Sequence, residues 1–332
     1  MTDAVDTAFS GKRVLVTGGM GFIGSNLALA LVKRGARVMI VDSMIPGYGG
    51  NLFNIEPAAK EIEVNFCDIL DVNAINHVVR GQDYVFHLAG QVDHILSLSD
   101  PFPDIDLNIK GTAVLMEACR RYNPAVRFVK AGTRGQYGPA TSLPVREDAA
   151  TNPKGIYEIS SLTAEKIIQV YNDIHGIHSV LLRLTNTYGP RAQMAHSRYG
   201  VANWFVRLAI DKTPIQVFGD GLIRRDFLFV DDCVDALLLS AVADEARGQI
   251  MNVGVDQPST FLDLARAIVE ICPGACWEYA EFTPERKAQE PGDFYSDITK
   301  IRRIVGWSPR TALQDGLRQT VDYYTRFKEH YW

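Results

Sequence analysis

The chain has 332 residues, 47% of them hydrophobic and 22% charged, which suffices for one large domain or a large one with a smaller companion. A formal net charge of −5 speaks against nucleic acid or an anionic membrane as partner, though not against a local anion site built from arginine and backbone amides. Met1 to Ser10 lacks the basic n-region and apolar core of a signal peptide, and the longest apolar run, Leu27 to Val32, falls far short of the roughly 20 residues of a membrane span. Five scattered cysteines (Cys67, Cys119, Cys233, Cys272 and Cys276) form no disulfide framework and predict a reducing, cytoplasmic setting. No second Cys or His pair with zinc-ligand spacing accompanies Cys272 and Cys276, so no metal is expected.

In chain order, Arg13–Thr17 is a short apolar run ending in glycines, as in a buried parallel strand. Ser25–Arg34 has helical spacing of Leu27, Ala30 and Leu31, with Gly35 as a fitting stop. Further strands are predicted at Arg37–Val41, Glu63–Phe66, Tyr84–Leu88 and Arg127–Lys130, with helices at Val72–Arg80 and Ile109–Tyr122 between them. Ser160–His175 reads as a long amphipathic helix and Ser179–Leu184 as another strand. From about Gly189 the alternation loosens, and Gln249–Val253 is expected to return to the main sheet. The predicted fold is α/β: a doubly wound parallel sheet with a smaller mixed α/β region behind it. The expected division is a dinucleotide-binding unit over 11–188, rejoined by 226–254, and a substrate-binding region over 189–225 and 255–328.

The reason for expecting a dinucleotide lies between the first strand and the first helix. Gly18, Gly21 and Gly24 permit a tight turn, close approach of a pyrophosphate and close helix packing; Phe22 and Ile23 lie within this cofactor-binding stretch, and the helix that follows presents free amides to the phosphates. Asp42, 18 residues after Gly24 at the end of the second strand, is placed to accept both ribose hydroxyls and to repel a 2′-phosphate, which favours NAD over NADP. Asp68 and Ile69, after the third strand, fall where adenine would lie, although Asp68 serves equally as a strand-end cap. Leu88, Ala89 and Gly90 are small enough for backbone to pass beneath the cofactor, and His87 beside them reads as a packed histidine.

These motifs, together with Asn108-Ile-Lys-Gly-Thr112, Leu184-Thr-Asn-Thr-Tyr-Gly-Pro190 and Arg224-Arg-Asp-Phe-Leu-Phe-Val-Asp-Asp232, resemble the extended short-chain dehydrogenases, nearest the NAD-dependent epimerase/dehydratase family acting on nucleotide sugars. The resemblance runs from Lys12 to about Tyr324. It implies that Tyr157 is the catalytic tyrosine, that Thr133 hydrogen-bonds the reacting hydroxyl, that Asn108 belongs to the cofactor site, and that Asn186 and Arg225 meet the substrate diphosphate. An ion pair of Arg225 with Asp231 or Asp232 is the plainer alternative. It further implies a homodimer built on helices around Lys110–Arg121 and Ser160–His175.

Two departures stand out. The family's Tyr-x-x-x-Lys is here Tyr157-Glu-Ile-Ser-Ser161, so Ser161 retains a hydroxyl for the ribose but brings no charge to lower the tyrosine pKa. Lys154 and Lys130 are the candidates to supply it. Dehydratases of the family carry an Asp-Glu pair after the threonine, whereas this chain has Arg134-Gly135, which disfavours water elimination and leaves Arg134 to meet an acidic sugar, a phosphate or a surface carboxylate. The expected activity is epimerisation, at C4, of a nucleotide-diphosphate sugar by transient oxidation with tightly held NAD. The alternatives are a 4,6-dehydratase or dehydrogenase and an NAD-binding protein without turnover.

Overall fold

A computed structural model describes residues 7–283, 287 and 290–332. Its centre is a seven-stranded parallel sheet. Strands β1 (Arg13–Thr17), β2 (Arg37–Asp42), β3 (Ile62–Phe66), β4 (Tyr84–His87), β5 (Arg127–Thr133) and β6 (His178–Leu184) are joined by β11 (Ile250–Val253) in the order β11-β6-β5-β4-β1-β2-β3. Every neighbour pair is parallel, and β4 is buried along its whole length, as expected of strands covered on both faces.

The period-two alternation of side chains divides the core in two. Val14, Val16, Val180 and Leu182 pack beneath helices α1 (Phe22–Lys33) and α7 (Val230–Val242). Leu15, Val85, Phe128 and Leu181 face α2 (Val72–Val78), α4 (Gly111–Tyr122) and α5 (Ile156–His175) on the other side. Between α2 and α4 lie the short α3 (His94–Ser99) and a π-helical segment, Ile105–Lys110, that runs into α4. The strand order reverses between β1 and β4, and the crevice beyond the carboxyl ends of those strands is where a doubly wound sheet takes its ligand.

The remaining strands form three two-stranded ribbons. β7 (Asn186–Tyr188) pairs with β10 (Phe227–Phe229), β8 (Ile215–Phe218) with β13 (Trp277–Ala280), and β9 (Arg224–Arg225) with β12 (Ser259–Thr260). Helices α6 (Val201–Ile210), α8 (Phe261–Ile271) and α10 (Leu313–Phe327) enclose a separate core around Phe205, Ile268, Leu317 and Tyr324. Helix α9 (Thr299–Val305) leads back to the main layer, where Trp307 donates its indole N–H to the Asp232 carbonyl at 2.9 Å.

The elements differ from the expected ones mainly at their ends. Helix α5 starts at Ile156 rather than Ser160, because extended Gly155 serves as its N-cap and brings Tyr157 into the first turn. Strand β5 continues to Thr133 instead of stopping at Lys130, paired throughout with β6.

Candidate functional site

The loop after β1 is shaped by close contacts that leave no room for side chains. Gly18 has φ +71°, and a Cβ there would lie 2.7 Å from the Ala89 amide nitrogen. A Cβ on Gly24 would strike the Gly18 carbonyl, so α1 packs directly against the turn. Gly21 is the helix N-cap, and Phe22 and Ile23 open the helix with no acidic side chain in its first turn. The free amides of that turn therefore face the crevice without competition from a carboxylate.

Asp42 lies across the crevice, its carboxylate accepting from the Met20 amide at 3.0 Å and the Met44 amide at 2.9 Å. Both bonds hold the side chain at the end of β2, beside the glycine turn. Gly18, Gly21, Asp42, Ile69, Leu88, Ala89 and Gly90 line one cavity together. Asp68 accepts from the Leu70 amide at 2.9 Å, which is the capping role. Asn108, in the π-helical segment, accepts from Gln91 N at 3.1 Å and donates to Gln91 O at 2.9 Å, tying down the loop that carries Ala89 and Gly90. His87 is fully buried between Thr17 Oγ1 at 2.8 Å and Thr112 Oγ1 at 3.0 Å; burial and the neighbouring Lys130 cation push its pKa well below the ordinary imidazole value. It is a packed, neutral histidine. This cradle, open where side chains are missing and edged by the Asp42 carboxylate, fits NAD.

Tyr157, Thr133 and Ser161 converge at the carboxyl end of β5. The Thr133 side chain, which accepts from the Gly135 amide at 3.1 Å, is near enough to the Tyr157 phenol to lower its pKa. Burial raises the phenol pKa strongly; Thr133 and Arg134 act downward, and the Glu158 and Asp104 charges act upward. Ser161 lies one helical turn beyond Tyr157, buried, its Oγ 3.4 Å from Gln136 Nε2. Of the two lysines, Lys154 is exposed on the loop before α5, whereas Lys130 is buried, which lowers its pKa to about 8.

Glu158 is the feature that spacing did not reveal. Its side chain lies over Gly135, where an added Cβ would come 2.7 Å from Glu158 Cγ and 3.5 Å from Thr133 Oγ1. His94, from α3, hydrogen-bonds the Glu158 carboxylate and meets the Tyr157 ring edge-on at 4.9 Å. Burial works to raise the Glu158 pKa, but the hydrogen bond and charge of His94 prevail and hold it below the ordinary value. A carboxylate and an imidazole thus stand beside Thr133, where the sequence had suggested only Arg134 and Gly135. His94 is 64 residues from Glu158, a separation no local pattern signals.

On the substrate side, Arg134 stacks on Phe294 with its guanidinium carbon 4.7 Å from the ring centroid, and burial brings its pKa down to about 10, with the Arg225 cation adding to the effect. Arg225 is itself buried and already engaged: it donates to the Arg224 carbonyl at 2.9 Å, to the Gly292 carbonyl at 2.6 Å and to Glu290. Its ion partner is Glu290 rather than Asp231 or Asp232; the Asp232 carboxylate caps the Arg310 and Thr311 amides at 2.9 Å each. Asn186, at the start of β7, has a buried Nδ2 without a partner among the described residues.

A doubly wound dinucleotide fold with a Tyr–Thr pair at the cofactor crevice defines an NAD-linked enzyme of the short-chain dehydrogenase type. A family profile, "NAD dependent epimerase/dehydratase family", matches residues 14–254, and the chain belongs to that family. It is 33% identical over 323 residues to a dTDP-glucose 4,6-dehydratase of Streptomyces niveus, covering 94% of this chain and 92% of that one. It is also 33% identical over 318 residues to a UDP-glucose 4-epimerase of Mycolicibacterium smegmatis, covering 94% and 98%. Among solved structures, the epimerase Mth375 of Methanothermobacter thermautotrophicus superposes with a TM-score of 0.91 at 29% identity, over 98% of this chain and 96% of that one. NAD is the family's cofactor, and no helix among the described residues is long and apolar enough to cross a membrane.

Proposed function

We propose that the chain is a nucleotide-diphosphate-sugar 4-epimerase. The observation that carries this is the Tyr157–Thr133 pair at the crevice, with Arg134 and Gly135 following Thr133 in place of an acid–base pair. Tyr157 takes the proton from the sugar C4 hydroxyl while Thr133 holds that hydroxyl in line, and the same phenol returns the proton after the keto-sugar has presented its other face. NAD, held by the glycine turn and Asp42, supplies hydride acceptance and return. The unpartnered Asn186 Nδ2 and the Arg134 guanidinium are the groups offered to the substrate's anionic parts. Arg225 commits three of its five N–H donors to Glu290 and two carbonyls, which leaves two for a diphosphate.

A second reading has its own support. The His94–Glu158 pair beside Thr133 is suited to proton transfer at the carbon next to a transient C4 ketone, the step a 4,6-dehydratase requires. Incubation with UDP-, dTDP-, CDP- and GDP-sugars in deuterium oxide separates the two. The epimerase yields an inverted sugar with no deuterium on carbon; a deoxy-keto product with deuterium beside the carbonyl makes the chain a dehydratase.

We further infer a homodimer and a cytoplasmic location. Ile159, Val170 and Ile174 of α5 are exposed together with Ile95 and Leu98 of α3, an apolar surface suited to a second copy. The five free cysteines support a reducing compartment.

A further inference from the structure

We propose that Lys130, from strand β5, supplies the cation that holds the nicotinamide-side ribose of NAD and faces the Tyr157 phenol, the place that Ser161 leaves without charge. The proposal rests on the chain being an NAD enzyme with Tyr157 as its proton-transfer group. Its starting point is a buried ammonium in need of a ligand. Lys130 is 8% exposed, and among the described residues none hydrogen-bonds or ion-pairs with it. An ammonium withdrawn from water in this way is costly unless something binds it.

Its position indicates what does. Lys130 stands opposite His87 of β4 and Leu181 of β6, close enough for its charge to act on the His87 ring. His87 meets Thr112 of α4, so Lys130 lies on the sheet face that α4 and α5 cover. Two residues further along β5, on the same face, Gly132 has no side chain to block the way toward the crevice. A Cβ at Gly132 would lie 3.6 Å from the Gln136 amide, and Gln136 in turn reaches Ser161 Oγ at 3.4 Å.

Lys130, Gly132, Gln136 and Ser161 therefore form one column rising to the crevice, topped by a buried Gln136 Oε1 that no described residue satisfies. Tyr157 is one helical turn from Ser161, on the same side of α5. A vicinal diol suits this column, since its oxygens accept from the ammonium and its hydroxyls donate to Gln136 Oε1. The titratable neighbour that feels the Lys130 charge is His87 from β4, while Glu158 and Asp104 act on the Tyr157 phenol. With its pKa brought to about 8 by burial, the amine is still protonated near pH 7, the charge state the proposed role requires.

The test begins with wild-type protein whose NAD affinity has been measured by calorimetric titration. It is acylated with an amine-selective reagent, with and without NAD, and each lysine is read by peptide mass spectrometry. NAD should slow labelling of Lys130 at least about tenfold and leave Lys154 and Lys166 unchanged. Lys130→Met should bind NAD at least about tenfold more weakly with an unaltered melting curve, Lys130→Arg should fall between, and Ser161→Lys added to Lys130→Met should recover most of the loss. Equal labelling of Lys130 with and without NAD, or wild-type NAD affinity in Lys130→Met, overturns the proposal. If Lys130→Met does not fold, labelling of the wild type decides alone. Protection of Lys130 by NAD in a protein that converts no sugar would count against the epimerase function and leave the role of Lys130 standing.

Discussion

The Glu158 side chain fills the space above Gly135, with Cγ 2.7 Å from where a Cβ at 135 would stand. Its charge raises the pKa of the adjacent Tyr157 phenol, behind burial as the main cause. Removing that charge eases formation of the phenolate. In Glu158→Gln the acid limb of the kcat/KM profile should therefore move to lower pH, and turnover at the optimum should persist. A loss of about 100-fold or more at every pH would instead mean that Glu158 itself transfers a proton.

Asp42 binds two backbone amides at once, Met20 at 3.0 Å and Met44 at 2.9 Å, at the edge of the cofactor cavity. Asp42→Ala leaves both donors unpaired, which should cost about 1–3 kcal/mol of stability in urea unfolding. NAD affinity should fall, and preference for NAD over NADP should narrow, because the carboxylate that repels a 2′-phosphate is gone. Parallel calorimetric titrations with the two cofactors measure this directly.

The cofactor half of the site was legible in the sequence because its signals are local. Gly18, Gly21 and Gly24 fall within a single turn, and Asp42 closes the next strand, so period and spacing suffice to place them. The substrate half is assembled from distant segments. Glu158 meets His94 from α3, and Arg225 finds Glu290 rather than the nearby Asp231 or Asp232. Neither pairing leaves a trace in spacing. The start of α5 was misplaced because Ile156–Ile159 has no marked apolar period, whereas the fold uses Gly155 as N-cap and so sets Tyr157 in the first turn.

Glu165 of α5 and Arg183 of β6 form a buried bidentate pair, with bonds of 2.9 and 2.7 Å, and Arg183 also stacks on Tyr137 at 4.5 Å. Glu165→Ala strands a buried guanidinium and should lower unfolding stability by about 3–5 kcal/mol, read as a fall in the urea midpoint. A change under about 1 kcal/mol would mean that water reaches Arg183.

His87 is neutral in the folded chain, its pKa held well below the ordinary value first by burial and then by Lys130. The unfolded chain binds a proton below about pH 6.5 and the folded chain does not, so stability falls as pH drops through that value, by about 1.4 kcal/mol per unit. His178, lowered to about 4 chiefly by burial, acts with the same sign down to that pH. Urea unfolding at pH 7 and pH 5 should show the loss, and His87→Gln should show a shallower slope; a flat wild-type profile over that range would mean that neither histidine is held neutral in the fold.

The most direct test of the proposed chemistry follows one hydrogen. A nucleotide sugar carrying deuterium at C4 is turned over with NAD, and the product is examined by proton and deuterium NMR. Deuterium restored to C4 of the inverted sugar is expected if Tyr157 serves an oxidation and return at that carbon. Deuterium transferred to C6 would contradict epimerisation and assign the His94–Glu158 pair to water elimination.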